Sequence, residues 1–510
     1  MTSLWIKNKV SRQQLEFLLT VLAALFVVRL YNRSPLLIST GLLLSACALP
    51  FFVKKPEFVI VVIAAALPFR DVHIVSLLYM KRAMIWAAFA YILLQGLGKR
   101  FQYGITRNLS LFTKFTAFFF ASLAASLVKT AAALGTTSLV TPTMLKATVL
   151  FFALRIIEEI LLSYISYFSL NTTHHIRVLL NVMLMVSAVV ALLGILQYYQ
   201  GEAPPLLSFL FDPELRFYGR ATSIFSNPNE LGGFIVIMLS IALVSFMWRA
   251  RNLWQRYFLY LPLIVLHVWV LILSFSRGAA VQLFLSVIVI AYLYYTKLSH
   301  KKWTWKSFLP LLLITAILVL AVNSYDLYMR TRLSSYQGNS LYQALYHTRA
   351  VSDSLRKNAA LQAIQTFVEH PLSGIGYDLF WGTRTVGFFS LSPHNQFLKI
   401  LAEMGLLGFI PFLGMLIVTM RSGLSVLKQP AELRPGKDEQ IVMLTLLSGM
   451  CSAVSGYLFV DSLAVIEIAG GLWILAGAIF ALERNIGHSQ TSSDAESMLL
   501  PAMVRPGIGK

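Results

Sequence analysis

Charge is what this 510-residue sequence has least of: 13% of its residues are Asp, Glu, Lys or Arg, while 57% are hydrophobic. Soluble domains carry about 25% charged residues, so the chain lacks the polar surface to cover a water-facing globule. Cysteine is nearly absent. Cys47 and Cys451 both lie inside apolar segments, which removes a disulfide framework and leaves the redox compartment open. Acidic residues are scarce beside basic ones, 22 against 42, for a formal net charge of +20. Such an excess ordinarily raises the question of nucleic acid. Here the basic residues fall in short clusters between long apolar runs, the positive-inside pattern of an integral membrane protein. P-loop and dinucleotide fingerprints are missing, and no cluster has metal-ligand spacing. These absences exclude a soluble enzyme, a secreted scaffold and a disordered chain. They leave nucleic acid out as a partner, imply no cofactor, and make metal-independent chemistry the simpler expectation.

What is present is a series of apolar segments. A span needs about 20 mostly apolar residues, and the candidates are 15–31, 35–53, 56–69, 83–97, 109–128, 144–169, 176–199, 231–248, 256–274, 279–296, 307–323, 397–420, 440–460 and 463–482. Two of them are weak. Segment 56–69 is short and ends at Pro68, and 144–169 carries Arg155, Glu158 and Glu159 near its middle. Arg155 can pair with both acids at helical spacing, but an interfacial helix accounts for that segment more simply. The expected fold is therefore an all-α polytopic membrane protein with 12–14 transmembrane helices and one long extracytoplasmic loop containing a helix.

Loop charges orient the chain. Lys7, Lys9 and Arg12, then Arg249, Arg251 and Arg256, Lys297 to Lys306, and Arg421 to Lys437 fall on one side, which the bias assigns to the cytoplasm. The expected layout is a cytoplasmic N-terminus (1–14), membrane helices (15–170 and 171–323), an extracytoplasmic loop (324–396), further membrane helices (397–482) and a disordered cytoplasmic tail (483–510). The first span reads as a retained anchor, because no signal-peptide cleavage site follows a short apolar core.

Four candidate residues fall on the outer side. Arg220 lies seven residues before Asn227-Pro228-Asn229-Glu230, where Asn227 is a good N-cap, Pro228 fits the first helical position and Glu230 suits a capping box. That helix end can receive an anion. Arg277 sits in the minimal turn Ser276-Arg277-Gly278, and Arg356 opens an amphipathic helix that stops at His370-Pro371. Ser392-Pro393-His394-Asn395 opens the next span, which puts His394 in a first helical turn. A helix N-terminus there disfavours the imidazolium and keeps the ring able to accept a proton. Asn395 either orients a ligand or completes the cap. Taken singly, each residue has an ordinary explanation: headgroup contact, a solvated loop or a helix cap. Several arginines facing one helix N-terminus suit a phosphate-bearing substrate, since the guanidinium fork binds phosphate oxygens bidentately. A neutral histidine beside them is a candidate general base.

Four motifs resemble the O-antigen ligase family. They are Arg220…Phe225-Ser-Asn-Pro-Asn-Glu-Leu-Gly, Ser276-Arg277-Gly278, Arg356 followed by His370-Pro-Leu-Ser-Gly-Ile-Gly, and Pro393-His394-Asn395-Gln-Phe-Leu-Lys-Ile-Leu-Ala-Glu-Met-Gly405. The resemblance covers roughly 170–480 in the family's order, and includes ligases, repeat-unit polymerases and protein O-oligosaccharyltransferases. It implies a GT-C-like glycosyltransferase in the bacterial plasma (inner) membrane, with a polyprenyl-pyrophosphate-linked glycan as donor. The acceptor would be a glycan, lipid or protein hydroxyl, met at the extracytoplasmic face. On that resemblance Arg220, Arg277 and Arg356 hold the pyrophosphate, Asn229 and Asn395 assist binding, and His394 deprotonates or orients the acceptor. The aromatic residue usual soon after the loop arginine is missing from Lys357-Asn358-Ala359-Ala360. A transporter or flippase for an anionic or lipid-linked solute is the competing class. It would need charged residues along a path through the membrane.

Overall fold

A computed structural model describes residues 57–68, 73–75, 78–97, 105–134, 142–200, 220–225, 227–295, 356–380, 385–386, 389–390, 393–429, 435–460, 463 and 465–503. The expected spans 15–31, 35–53 and 307–323 lie outside the described residues. The chain is an all-α polytopic membrane protein. Among the described residues the helices are α1 (Glu57–Ala66), α2 (Met80–Leu97), α3 (Arg107–Leu134), α4 (Pro142–Ser169), α5 (Thr173–Gln200), α6 (Pro228–Val244), α7 (Leu261–Ser274) and α8 (Arg277–Leu293). After α9 (356–369) come α10 (Gln396–Leu427), α11 (Lys437–Gly456) and α12 (Ile466–Met503). Five of the described helical segments are long and apolar enough to cross a membrane: Arg107–Ala133, Thr173–Gln200, Pro228–Arg249, Gln255–Ser274 and Gln396–Leu427. Among the described residues two small antiparallel hairpins interrupt the helices, β1 (His73–Val75) with β2 (Leu78–Tyr79), and β3 (Thr385–Val386) with β4 (Phe389–Ser390).

The bundle is organised around α12. Its residues from Ala469 to Leu482 are buried throughout, as a helix apolar on every face requires. Small residues let neighbours approach its backbone. A Cβ on Gly477 would meet the Ser163 carbonyl oxygen of α4 at 2.1 Å. Further along, Arg484 donates to the Tyr167 and Leu170 carbonyls at 2.9 Å. The expectation of an interfacial helix over 144–169 is therefore corrected: α4 runs parallel to α12 inside the bundle. Of its two acids, Glu158 is accommodated by α2, while Glu159 is fully buried. Arg82 Nε lies 2.9 Å from Glu158 Oε2, the Trp86 indole donates to Glu158 at 2.8 Å, and Lys81 pairs with Glu467 at 3.4 Å. The other weak span, α1, also joins the bundle, against α5 and α4. At ten residues it is about 15 Å long, half a membrane.

Breaking a buried pair strands a charge, at a cost of about 3–5 kcal/mol. Arg82→Met is accordingly expected to lower the thermal midpoint in detergent sharply, and Arg82→Met with Glu158→Gln to recover much of the loss. An unchanged midpoint in the single variant would show that this pair is not what stabilises α2 against α4.

The tail expectation is corrected too. Helix α12 continues to Met503, so residues 483–503 are helical. Glu483 accepts from Ser422 at 2.8 Å and from Asn108, which anchors the first turn beyond the apolar run.

The two ends of the bundle are chemically distinct. One gathers the start of α5, the 249–251 loop and the start of α11, with Arg177 and Arg251 both 3.1 Å from Asp438 and Arg249 donating to Asn181 at 2.7 Å. The other gathers the C-terminal ends of α3, α5, α7 and α11 with the N-termini of α6, α8 and α10.

Candidate functional site

Each N-terminus at that second end is held by a local device written in its sequence. At α6 the Asn227 side chain accepts from the Asn229 and Glu230 amides at 2.9 and 3.0 Å, with Pro228 as the first helical residue. Glu230 returns to the Asn227 side-chain amide and not to its backbone, so the expected capping box closes side chain to side chain. At α8, Ser276 caps by accepting from the Ala279 amide. The preceding Phe275 takes the left-handed conformation (φ 47°) that ends α7. The two first turns touch, because a Cβ on Gly232 would stand 2.8 Å from the Ala279 Cβ and 2.9 Å from the Ser276 Cβ.

Arg220 bridges these turns. Its Nε donates to the Ser274 carbonyl at 2.9 Å, and its terminal nitrogen to the Phe275 carbonyl and to Asn229 Oδ1, both at 3.3 Å. Asn229 thus orients a guanidinium. The strand carrying Arg220 is fixed from α5: Gln197 Oε1 accepts from the Thr222 and Ser223 amides at 3.1 and 2.7 Å. Neighbouring Arg277, the first residue of α8, is exposed.

His394 occupies a different position from the one expected. The N-cap of α10 is Asn395, whose side chain accepts from the Leu398 amide at 3.0 Å, and Gln396 begins the helix. Pro393 therefore precedes the cap, and His394 stands just outside the helix in the left-handed region (φ 46°). The physical reason is that Asn395 caps as well as Ser392 would, two residues nearer the apolar run. A non-glycine residue in this region is uncommon, and such strain gathers at functional sites. The end of α11 joins this cap to the arginine turn. Asn395 Nδ2 donates to the Leu458 carbonyl at 3.3 Å and the Gln396 amide to the Tyr457 carbonyl at 2.8 Å, while a Cβ on Gly278 would meet the Phe459 Cβ at 3.0 Å. Arg220, Asn229, Arg277, His394 and Asn395 are thereby linked through one continuous set of contacts.

Arg356 stands on a separate element. It opens α9, whose Ala363 packs with Ala402 of α10 and with Phe380. At the far end of α9 the run His370-Pro-Leu-Ser-Gly-Ile-Gly locks onto α10 at a break that sequence reading missed. Gly405 has φ 61° and ψ −159°, which no helix contains. Phe397 contacts Phe409 and Phe412 with ring centroids 6.3 and 6.2 Å apart. Twelve and fifteen residues of straight helix would separate those rings by about 18 and 22 Å. The chain therefore folds back at Gly405, and the span expected over 397–420 is two helices, a short one to Met404 and a membrane-length one from Leu406.

The break frees backbone groups, and the loop satisfies them. Ile375 and Gly376 amides donate to the Ala402 and Glu403 carbonyls at 3.0 and 2.9 Å, and Leu406 and Leu407 amides to the Pro371 and Leu372 carbonyls at 2.9 and 3.0 Å. Helix α3 completes the lock. Lys129 donates to Ser373 Oγ and, at 3.1 Å, to the Gly374 carbonyl, and Thr130 donates to the Tyr377 carbonyl at 2.8 Å. Lys399 pairs with Asp378 at 3.5 Å. Burial, reinforced by the Asp378 and Glu403 carboxylates, pushes the Tyr377 hydroxyl well above its usual range, so it stays protonated. The signal for this lock was the set of glycines at 374, 376 and 405. Each has positive φ, which local pattern alone does not reveal.

Among the described residues no group of three or more His, Cys, Asp or Glu could hold a metal ion. The arrangement combines the held guanidinium of Arg220, the exposed Arg277, three helix N-termini and one histidine, which suits an anionic leaving group and a proton transfer.

Residues 262–413 match the family model described as O-antigen ligase. The match is narrower than the 170–480 over which the motifs resemble that family. It contains Arg277, Arg356, His394 and Asn395, with Arg220 and Asn229 preceding it. No curated protein matches the chain.

Proposed function

We propose, from the match of residues 262–413 to the O-antigen ligase model within a polytopic helical membrane protein, that the chain transfers a glycan from a polyprenyl-pyrophosphate carrier to an acceptor hydroxyl at the outer face of the bacterial plasma membrane. It acts as a ligase or as a repeat-unit polymerase. The observation that carries this reading is the meeting of the α6, α8 and α10 N-termini at Arg220, Arg277 and His394.

The chemistry follows from those groups. Arg220 and Arg277, with Arg356 from α9, hold the pyrophosphate, and Asn229 keeps the Arg220 fork in one orientation. The imidazole of His394 takes the acceptor's hydroxyl proton as the oxygen attacks the anomeric carbon. The bond from that carbon to the pyrophosphate oxygen breaks, and its electron pair leaves with polyprenyl pyrophosphate. One displacement inverts the anomeric centre. Fixed arginines stabilise the charge that develops on the leaving group. The donor is already activated, so the step needs no nucleotide.

Proteoliposomes loaded with the carrier-linked glycan and an acceptor test the reading through release of polyprenyl pyrophosphate. Arg277→Lys keeps the charge and loses the fork. Hydrogen bonds to charged groups contribute about 1.5–3 kcal/mol, so kcat/KM should fall by about 10- to 100-fold. Wild-type rates in that variant would show that a point charge suffices. Release that never depends on an acceptor would refute transfer itself.

A further inference from the structure

One cavity lies away from His394, on the membrane-length half of α10. It is a groove of about 540 Å³ between α10 and α11, with Leu413, Ile417, Leu424 and Val454 along its wall and Phe397 at one end. Ile417 is exposed, as a side chain facing hydrocarbon would be. From Leu413 to Lys428 the groove follows fifteen residues of helix, about 22 Å. Its polarity is one-sided. Arg421 and Lys428, seven residues apart and so on one helix face, line the end opposite Phe397, and no acidic residue lines it. Both cations are exposed. Two further cavities, of about 10 Å³ each, have room for a single water.

We propose that this groove binds one anionic phospholipid, with an acyl chain along α10 and its phosphate at Arg421 and Lys428. Two features favour that occupant. An apolar channel on a spanning helix is filled by hydrocarbon and not by water. The paired cations stand at the end of the bundle that also holds Arg177, Arg249 and Arg251, the level of a headgroup layer. The glycan carrier's pyrophosphate would instead have to sit at the His394 end, where the groove offers only Phe397. The lipid site is thus independent of glycan transfer.

Native mass spectrometry of the full chain, released from micelles doped with phosphatidylglycerol or phosphatidylcholine, tests this. Wild type should retain one phosphatidylglycerol in preference to phosphatidylcholine. Each basic residue near a membrane surface adds about fivefold in affinity, so R421Q/K428Q should lower phosphatidylglycerol retention by about 25-fold and that of phosphatidylcholine, whose choline offsets its phosphate, by much less. Leu424→Trp, which fills the groove and spares the cations, should reduce both lipids. Equal retention of the two lipids by wild type, or a preference that survives R421Q/K428Q, would overturn the proposal. So would a tightly held polyprenyl lipid that phosphatidylglycerol cannot displace.

Discussion

Replacing His394 by alanine is expected to lower glycan transfer by about 100- to 10,000-fold, the range for losing a positioned general base, while the protein stays folded and in the membrane. The proton on the attacking hydroxyl must go somewhere as the new bond forms. His394 directly precedes Asn395, which the end of α11 links to the Arg277 turn. If the arginines carry the pyrophosphate and the histidine only the proton, kcat should collapse while carrier binding holds. Alanine also loses the ease with which histidine adopts a positive φ. His394→Asn separates the two effects, because asparagine accepts that backbone conformation and supplies no base. Loss of transfer in both variants, with unchanged thermal midpoints, supports the proton role. Normal glycan attachment and length in either variant would sink it.

Hydropathy reveals most of this architecture because lipid leaves the chain few alternatives: a spanning segment must satisfy its backbone internally and present apolar side chains. Segments 176–199, 231–248 and 256–274 accordingly appear as α5, as α6 with its continuation to Arg249, and as the helix ending at Ser274. What hydropathy does not carry is partnership between distant segments. Glu158 of α4 looks too costly for a membrane interior until Arg82 and Trp86, more than seventy residues earlier, are placed against it. The Asn227 cap was legible because a cap is a matter of three adjacent residues. The position of His394 was not, since Ser392 and Asn395 are both adequate caps and only the contacts of Asn395 with Leu398 and Leu458 choose between them. For the same reason Lys129 and Gln197 escaped notice. Each supports the site through a loop far away in sequence.

Gly405 gives the sharpest distinction between local and long-range reading, because the two assign opposite signs to one substitution. In a continuous apolar helix, Gly405→Ala would stabilise by about 1 kcal/mol through helix propensity. In the folded-back chain the same change is expected to be severe. A residue at φ 61° and ψ −159° is in territory that essentially only glycine enters, at a cost of about 1–3 kcal/mol for any other. Its Cβ would also stand 2.5 Å from the Leu372 carbonyl group and the Ser373 amide, backbone atoms that cannot rotate away. Relief requires the 371–376 loop to leave, and with it the four hydrogen bonds that satisfy the broken turn and the contact between α9 and α10 that carries Arg356. Gly405→Ala should therefore reduce transfer by at least about 100-fold, lower the thermal midpoint, and expose a cysteine introduced at Ser373 to a water-soluble thiol reagent. Circular dichroism should stay near that of wild type, because helices on both sides of the break persist. Gly374→Ala, whose Cβ would lie 2.2 Å from the Glu403 carbonyl carbon, approaches the same junction from the loop side and should give the same set of losses. A more stable, fully active Gly405→Ala protein would mean that α10 runs straight, and that the lock between loop and helix contributes nothing to the site.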